Sequence, residues 1–305
     1  MANRQDHASF VADVIARIVA SSGFGYLATT YTMSKWLTRM ARAKANSFPC
    51  ERGLSWEPLE CRTSDNFLLH GWVISPENPR GTVALFHGLR GNRGQTLDRA
   101  AFLVKAGFRC VAFDHRAHGE STGRLTSFGF YEHQDVMAVA RLIRNQWPEQ
   151  PLGVLGISMG AAAICFAGSN GVRFDSVVLE GLYHDIETAF FSRIGTEFPI
   201  WFRHFLDGVI WVTERRLRIR LGELSPGKHI HMLGSTPVLL LTGSDDPYAT
   251  PNAVRQLYEK CCGPRELYVV SEAGHENVFE VGGEEYQKTV LRFLTRTLSG
   301  SRMAA

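Results

Sequence analysis

The chain has 305 residues, of which 45% are apolar and 21% are charged, and its formal net charge at pH 7 is +3. This composition excludes an intrinsically disordered chain, and 29 glycines with 12 prolines are too few for a collagen-like one. The small net charge gives no reason to predict a nucleic-acid partner. No apolar run is long enough for a polytopic membrane protein, so we expect a soluble, enzyme-sized protein.

The six cysteines show neither zinc-site spacing nor the regular spacing of a disulfide framework. The sequence contains no Asn-x-Ser/Thr glycosylation site. We therefore expect reduced thiols and a cytoplasmic location, and a Cys50–Cys61 bridge is the alternative for an oxidising compartment.

Residues 1–48 differ in character from the rest of the chain. Phe10, Val14 and Ile18 recur at helical spacing and predict an amphipathic helix. The uncharged stretch 18–34 is diluted by Ser, Thr and Gly, so a membrane-spanning anchor competes with a helix packed on the main domain or on a partner. A peripheral membrane contact through residues 8–34 is a further expectation, which would make the protein membrane-associated.

From residue 55 onward, short apolar runs alternate with helical patterns. The predicted strands are 67–75, 82–86, 109–113, 152–156, 176–180, 237–242 and 266–270, and the predicted helices are 96–106, 132–145, 158–168, 251–261 and 284–298. This alternation predicts an α/β fold with a doubly wound, mostly parallel sheet. The core would comprise residues 55–181 and 233–300, interrupted by a helical insertion at 182–232.

The strongest chemical signal is Gly156-Ile157-Ser158-Met159-Gly160, a GxSxG motif between a predicted strand and a predicted helix. A serine on such a sharp turn adopts a strained conformation, and glycines two residues away on either side leave room for it. The helix that follows directs free N–H groups at any oxyanion formed there. Ser158 is therefore the candidate nucleophile.

A second backbone N–H is needed for an oxyanion hole, from the loop after the neighbouring strand. His87-Gly88-Leu89 follows the strand 82–86, and its glycine would let the chain approach the substrate closely. We assign the oxyanion hole to the backbone amides of Leu89 and Met159. A plain Gly-rich turn is the structural alternative.

A nucleophilic serine needs a base and an orienting acid, which arrive in the chain order Ser, Asp or Glu, His in this kind of fold. His275 follows the strand 266–270 and is the candidate base. The adjacent Asp245 and Asp246 follow the strand 237–242, and Glu180 ends an earlier strand. All three carboxylates are candidates for the acid.

These motifs together resemble those of the α/β-hydrolase superfamily, in particular its branch of serine-aminopeptidase-like and monoacylglycerol-lipase-like serine hydrolases. The resemblance spans about residues 55–298, and the segments that carry it are His87-Gly88, 114–121, 156–160, 243–247 and Gly274-His275. It implies a Ser158–Asp246–His275 triad and a helical cap after residue 180. Within 114–121, Ala117 stands where the commoner pattern has glycine; we interpret this segment as structural rather than as a metal site.

The leading hypothesis is a serine hydrolase that cleaves a small-molecule carboxylic ester or thioester through an acyl-enzyme on Ser158. The alternatives are a non-catalytic ligand-binding protein on the same fold, or an acyltransferase or peptidase that uses the same triad. No phosphate-binding or dinucleotide-binding glycine pattern occurs, so we expect no cofactor, and no metal is expected either.

The predicted insertion contains aromatic residues and a basic run. Trp201, Phe202, Phe205 and Trp211 would either line an acyl pocket or pack the cap onto the sheet. The basic run is a solvated face or a contact for anionic headgroups or an acidic substrate; its members are Arg215, Arg216, Arg218 and Arg220. The sequence predicts no oligomeric state.

Overall fold

The computed structural model describes residues 23–39, 42–191 and 200–300. Its strands are β1 (Trp56–Arg62), β2 (Leu68–Ile74), β3 (Thr82–Phe86), β4 (Arg109–Phe113), β5 (Leu152–Ile157), β6 (Ser176–Glu180), β7 (Val238–Gly243) and β8 (Arg265–Val270). Its α-helices are α1 (Gly23–Thr38), α2 (Leu97–Lys105), α3 (His133–Gln146), α4 (Met159–Ser169), α5 (Ile186–Phe191), α6 (Ile200–Leu217), α7 (Pro251–Lys260) and α8 (Val278–Gly300).

The strands form one sheet in the order β1-β2-β4-β3-β5-β6-β7-β8. β2 is antiparallel to both of its neighbours, and the strands from β4 to β8 are parallel. β3 to β7 are buried along their whole length, because α3, α4 and α7 cover one face and α2 and α8 cover the other. The predicted doubly wound, mostly parallel sheet is confirmed.

β1 was not predicted from the sequence, and the predicted start of α8 was six residues too late. β1 is an edge strand with two exposed glutamates and Pro58, so it lacks the continuous apolar run of the central strands. In α8, Gly282 and Gly283 obscure the helical pattern, and Gly283 has a φ of +48° inside the helix. Both differences arise where local composition opposes the structure that packing imposes.

The chain between β6 and β7 contains α5 and α6, followed by short 3-10 turns at Leu221–Glu223, Pro226–Lys228 and Ile230–Leu233. These elements lie in the predicted helical insertion, although its boundaries, like those of the segment 1–48, remain predictions. The predicted amphipathic positions Phe10, Val14 and Ile18 lie outside the described residues. Within the described ranges, no helix is both long and apolar enough to cross a bilayer.

α1 packs against α6 of this insertion rather than against the sheet. The Tyr26 hydroxyl donates a hydrogen bond to the His204 carbonyl at 2.8 Å, and the Arg216 guanidinium donates to the Ser34 hydroxyl at 2.9 Å. All six cysteines lie in the described part of the chain, where each is a free thiol, so the alternative Cys50–Cys61 bridge is absent there.

The loops after β7 and β8 are in direct backbone contact. The Ser244 amide donates to the Val270 carbonyl at 2.8 Å, and the Asp245 amide donates to the Ala273 carbonyl at 2.9 Å. A Cβ atom on Gly243 would lie 2.0 Å from the Ala273 oxygen, a separation at which backbone must move. Glycine at 243 therefore sets how closely the two loops approach.

We predict that Gly243→Ala lowers the free energy of unfolding by about 2 kcal/mol or more, because the added methyl group would overlap a backbone carbonyl. Chemical denaturation measures the effect. Gly222→Ala is the matched control, since a Cβ there meets no atom within 4 Å. Equal stability of the two variants would contradict the close packing of the loops.

Candidate active site

The turn from β5 into α4 holds Ser158 in a strained conformation, with φ +51° and ψ −107°. A Cβ on Gly156 would lie 2.6 Å from the Ala161 nitrogen, and one on Gly160 would lie 2.5 Å from the Phe86 oxygen. Both motif glycines are thus required by close backbone approach. The Ser158 amide donates to the Glu180 carbonyl at 2.7 Å, which ties the turn to the end of β6.

Three polar side chains from the loops after β5, β7 and β8 form a continuous line. The Nε2 atom of His275 lies 2.9 Å from the Ser158 Oγ, and its Nδ1 atom lies 2.7 Å from the Asp246 Oδ2. A neutral imidazole with its proton on Nδ1 satisfies both contacts: it donates to Asp246 and accepts from the Ser158 hydroxyl. This is the geometry in which a base can take the serine proton.

The Asp246 carboxylate is buried and fully engaged. Its Oδ1 atom accepts hydrogen bonds from the Tyr248 and Ala249 amides, both at 2.8 Å. Burial by itself raises the pKa of Asp246, but the hydrogen bond and charge of His275 and the two backbone amides outweigh it and hold that pKa below its usual value. These contacts stabilise the fold above the ordinary pKa of the carboxyl, and their contribution is lost as the pH falls through the lowered value.

The other two candidate acids have different partners. Glu180 is buried and accepts from the Arg99 Nε at 2.9 Å and from the Tyr286 hydroxyl at 2.6 Å. Asp245 is exposed, and its Oδ1 accepts from the Ser244 hydroxyl at 2.9 Å. Of the three carboxylates, Asp246 is the one in hydrogen-bond contact with His275.

The loop after β3 is braced by His87, whose side chain is fully buried. The His115 amide donates to His87 Nε2 at 3.0 Å, so the ring proton lies on Nδ1, 2.7 Å from the Gly88 carbonyl oxygen. Burial, with the charges of His115 and His118 added to it, lowers the pKa of His87 well below its ordinary value, so the ring is neutral at pH 7.

This hydrogen bond fixes the direction of the next peptide. Because the Gly88 carbonyl turns toward His87, the Leu89 N–H of the same trans peptide points the opposite way. Gly88 itself lies close to Ser158, since a Cβ there would lie 3.6 Å from the Ser158 Cβ. The predicted oxyanion amides, Leu89 and Met159, thus belong to two backbone segments that meet here, and their role stays a prediction.

His87 was recognised in the sequence as part of a motif, but the hydrogen bonds by which His87 and Gln95 hold this loop were not predicted. The Gln95 Oε1 accepts from the Gly88 amide at 2.9 Å. A polar ring directly after a fully apolar strand was the available signal for His87, because a buried polar group has to be hydrogen-bonded. Nothing in the local sequence pointed to Gln95.

The segment 114–121 forms a buried polar network beside this loop. The Asp114 carboxylate accepts from the Arg93 amide at 2.6 Å and from the Arg93 Nη1 at 2.7 Å. Ala117 has a φ of +63°, which explains why glycine is the commoner residue at this position. Among the described residues, no group of three or more His, Cys, Asp or Glu side chains is arranged to hold a metal ion.

The aromatic residues of the insertion have contacts that neither sequence alternative anticipated. Phe205 is buried against α1, with its ring centroid 6.4 Å from that of Tyr26, and Phe202 packs in the same cluster. Trp211 is 50% exposed, and its ring lies beneath the Arg215 guanidinium. The side chain of Trp201 lies outside the described part of the structure. These contacts are with α1 and within α6, and a role of the four residues in an acyl pocket stays a prediction.

A family model and individual similar proteins relate this chain to known hydrolases and to an uncharacterized protein. The family model of serine aminopeptidase, S33, matches residues 77–196. The uncharacterized protein YqkD of Bacillus subtilis (strain 168) is 31% identical over 231 residues, which cover 74% of this chain and 75% of YqkD. A monoacylglycerol lipase of Mycolicibacterium smegmatis is 31% identical over 113 residues, 36% of this chain and 40% of that enzyme.

Among solved structures, the esterase Pf2001 of Pyrococcus furiosus superposes with a TM-score of 0.72 at 25% sequence identity, covering 85% of this chain and 98% of the esterase. The similarity thus includes most of this chain and nearly all of the esterase. The chain belongs to the α/β-hydrolase superfamily and is a hydrolase-type, esterase-like enzyme.

Proposed function

We propose that this protein is a serine hydrolase that cleaves carboxylic esters or thioesters through an acyl-enzyme on Ser158. The observation that carries the proposal is the unbroken line of contacts from Asp246 through His275 to Ser158, at 2.7 and 2.9 Å. The similarity to an esterase and to a monoacylglycerol lipase supports an ester as the substrate.

In this mechanism the Ser158 Oγ attacks the acyl carbonyl carbon while His275 Nε2 accepts the hydroxyl proton. The buried Asp246 carboxylate stabilises the imidazolium that forms and keeps its Nδ1–H in place. The Leu89 and Met159 amides donate to the oxyanion of the tetrahedral intermediate. His275 then returns its proton to the leaving alcohol or thiol. In deacylation, His275 accepts a proton from water as the water oxygen attacks the acyl carbonyl carbon. The proton is then returned to the Ser158 Oγ as the carboxylic acid leaves.

A non-catalytic sensor on this fold would not need a serine held in a strained conformation with its hydroxyl in contact with a histidine. The conformation of Ser158 costs on the order of 1–3 kcal/mol, and it is held by the surrounding backbone rather than relieved. Strain of this kind is characteristic of functional sites, and here it presents a hydroxyl to a base. This favours an enzyme over a binding protein.

We predict that Ser158→Ala lowers kcat for a soluble ester by ~10³-fold or more, because the variant lacks the atom that forms the acyl bond. Hydrolysis of p-nitrophenyl esters of increasing chain length measures this, with an aminoacyl p-nitroanilide as the peptidase comparison. Ser169→Ala, at the other end of α4, is the matched control and should hydrolyse esters like the parent. A fluorophosphonate probe should label the parent and the control but not Ser158→Ala.

Near-parental ester turnover by purified Ser158→Ala would overturn the nucleophile assignment. Anilide turnover that exceeds ester turnover would keep the nucleophile but replace the substrate class with peptides. A parent enzyme that neither turns over any of these substrates nor reacts with the probe would favour the non-catalytic alternative.

The orienting acid has its own test. We predict that Asp246→Asn lowers kcat by up to ~10⁴-fold, because an amide favours the wrong imidazole tautomer while leaving the geometry intact. Asp245→Asn should stay within about tenfold of the parent, since its side chain faces solvent. Steady-state kinetics on one ester compares the variants.

Glu180→Gln separates a structural role from a catalytic one. It should lower the melting temperature, because the buried Arg99 loses its counter-charge, while kcat of the folded enzyme stays within about tenfold of the parent. A large kcat loss in Glu180→Gln together with a small loss in Asp246→Asn would transfer the acid role to β6.

A further inference from the structure

On α1, hydroxyl-bearing side chains lie on the buried side, and apolar side chains lie on part of the exposed side. Its fully buried residues, Thr30, Ser34 and Thr38, recur every four positions and carry hydroxyl groups. They face α6, where the Thr213 hydroxyl donates to the Ser34 hydroxyl at 2.9 Å and Arg216 donates to both Ser34 and Thr38. Met33 and Leu37, partly buried, flank this polar row. The buried contact of α1 with α6 therefore includes a row of polar side chains as well as apolar ones.

The solvent-facing side of α1 is apolar in its N-terminal half. Leu27 is 54% exposed and Tyr31 is 51% exposed, and both lie one turn apart on the same row. With Ala28 they form one wall of an open groove of about 480 Å³, and Trp211 and Val212 of α6 form the other wall. This set, Leu27, Ala28, Tyr31, Trp211 and Val212, is called the outer face below. An exposed apolar face of this kind indicates an interaction site for another apolar surface.

The hydroxyl groups on the exposed side of α1 are already satisfied within the helix. The Thr32 hydroxyl donates to the Ala28 carbonyl at 2.8 Å, and the Thr29 hydroxyl donates to the Gly25 carbonyl at 2.7 Å. Internal hydrogen bonds of this kind let a helix enter an environment without water and leave no polar group unpaired. The exposed side of α1 is thus compatible with an apolar layer in spite of its threonines.

Basic side chains border the outer face. The row of Leu27 and Tyr31 continues with Lys35 in the last turn of α1 and with Arg39 directly after the helix, both exposed. Across the groove, Arg215 lies over the Trp211 ring with 4.6 Å between its guanidinium carbon and the ring centroid. No acidic residue occurs in 23–39. The border of the outer face therefore carries positive charge.

The acidic residues of α6, Asp207 and Glu214, are not among the residues that line the groove. Asp207 lies one turn before Trp211, and its carboxylate is 3.8 Å from the Nδ1 atom of the exposed His204. The Glu214 Oε1 accepts from the Leu221 amide at 2.7 Å, away from the groove-lining residues. Apolar and aromatic side chains bordered by lysine and arginine form the pattern that peripheral proteins present to anionic lipid.

We propose that the outer face, with Lys35, Arg39 and Arg215, is a docking surface for a bilayer that contains anionic phospholipids. Leu27, Tyr31 and Trp211 enter the boundary between headgroups and acyl chains, where amphipathic aromatic rings are favoured. The three basic side chains contact the phosphate groups. The helix lies on the membrane and does not span it. This proposal is independent of the catalytic one, since binding to vesicles requires no turnover.

Flotation of the full chain with vesicles tests the proposal. The parent should bind vesicles of phosphatidylcholine and phosphatidylglycerol in equal proportions, and bind phosphatidylcholine alone far more weakly. The double variant Lys35→Gln/Arg215→Gln should weaken binding to the mixed vesicles about 30-fold, because each basic side chain near an anionic surface contributes about fivefold. Raising the salt concentration should weaken the parent in the same direction.

Matched controls separate the outer face from general surface properties. Lys105→Gln/Arg255→Gln removes the same charge from exposed positions on α2 and α7 and should bind like the parent. Leu27→Ser/Tyr31→Ser should weaken binding about tenfold or more by removing apolar contact area. Its control, Met232→Ser/Val281→Ser, changes two side chains of similar exposure elsewhere and should have no effect.

Circular dichroism and thermal melting verify that each variant is folded. If Leu27→Ser/Tyr31→Ser does not fold, the comparison of Lys35→Gln/Arg215→Gln with its control tests the proposal. Failure of the parent to bind the mixed vesicles would overturn the proposal, as would equal binding by the charge variant and its control. Light scattering measures the oligomeric state of the parent and of Leu27→Ser/Tyr31→Ser. If the parent is a dimer and this variant is a monomer, the groove binds a second copy of the chain, which would overturn the proposal.

Discussion

The structure depends on one strained turn at the centre of the sheet. Ser158 is held with a positive φ at the end of β5, and two close backbone approaches make glycine necessary at 156 and 160. Its amide bonds to the carbonyl of Glu180, whose carboxylate in turn holds Arg99 of α2 and Tyr286 of α8. One residue thus ties the turn to the helices on the opposite face.

The conformation of Ser158, the proposed nucleophile, is a consequence of packing. The strained turn persists because the surrounding backbone over-determines it, and the N-terminus of α4 lies beside it, where its amides could receive the oxyanion of the proposed reaction. The loops after β3, β7 and β8 leave the same edge of a parallel sheet, so their polar residues converge on Ser158. Fold and proposed chemistry therefore have a common origin in the direction of the strands.

The sequence was informative where local pattern and tertiary environment agree. Strands β3, β4 and β6 were predicted to the residue, because buried parallel strands are apolar throughout. Edge strand β1 was invisible for the opposite reason. The residues alone also could not choose between Asp246 and Glu180, since both are carboxylates at strand ends; the contacts of Glu180 with Arg99 and Tyr286 join positions 81 and 106 apart in the chain.

The contact between α1 and α6 was equally inaccessible, because a helical pattern does not reveal its partner. α1 also contacts the loop after β3 at the proposed active site: the Trp36 ring lies 4.6 Å from the guanidinium carbon of Arg90, the residue after Leu89. A bilayer docked on the proposed membrane surface would therefore lie on a helix that contacts the proposed oxyanion loop. Such an arrangement suits an enzyme whose ester substrate partitions into lipid.

Ser158 is the proposed nucleophile, and the Leu89 and Met159 amides are the proposed donors to the oxyanion. A crystal structure of the enzyme after reaction with a phosphonate ester tests both roles at once, since the adduct resembles the tetrahedral intermediate. We expect a bond from phosphorus to Ser158 Oγ, with a phosphonyl oxygen about 2.7–3.1 Å from both amide nitrogens. Phosphorus on another residue, or a phosphonyl oxygen that contacts neither amide, would contradict these roles.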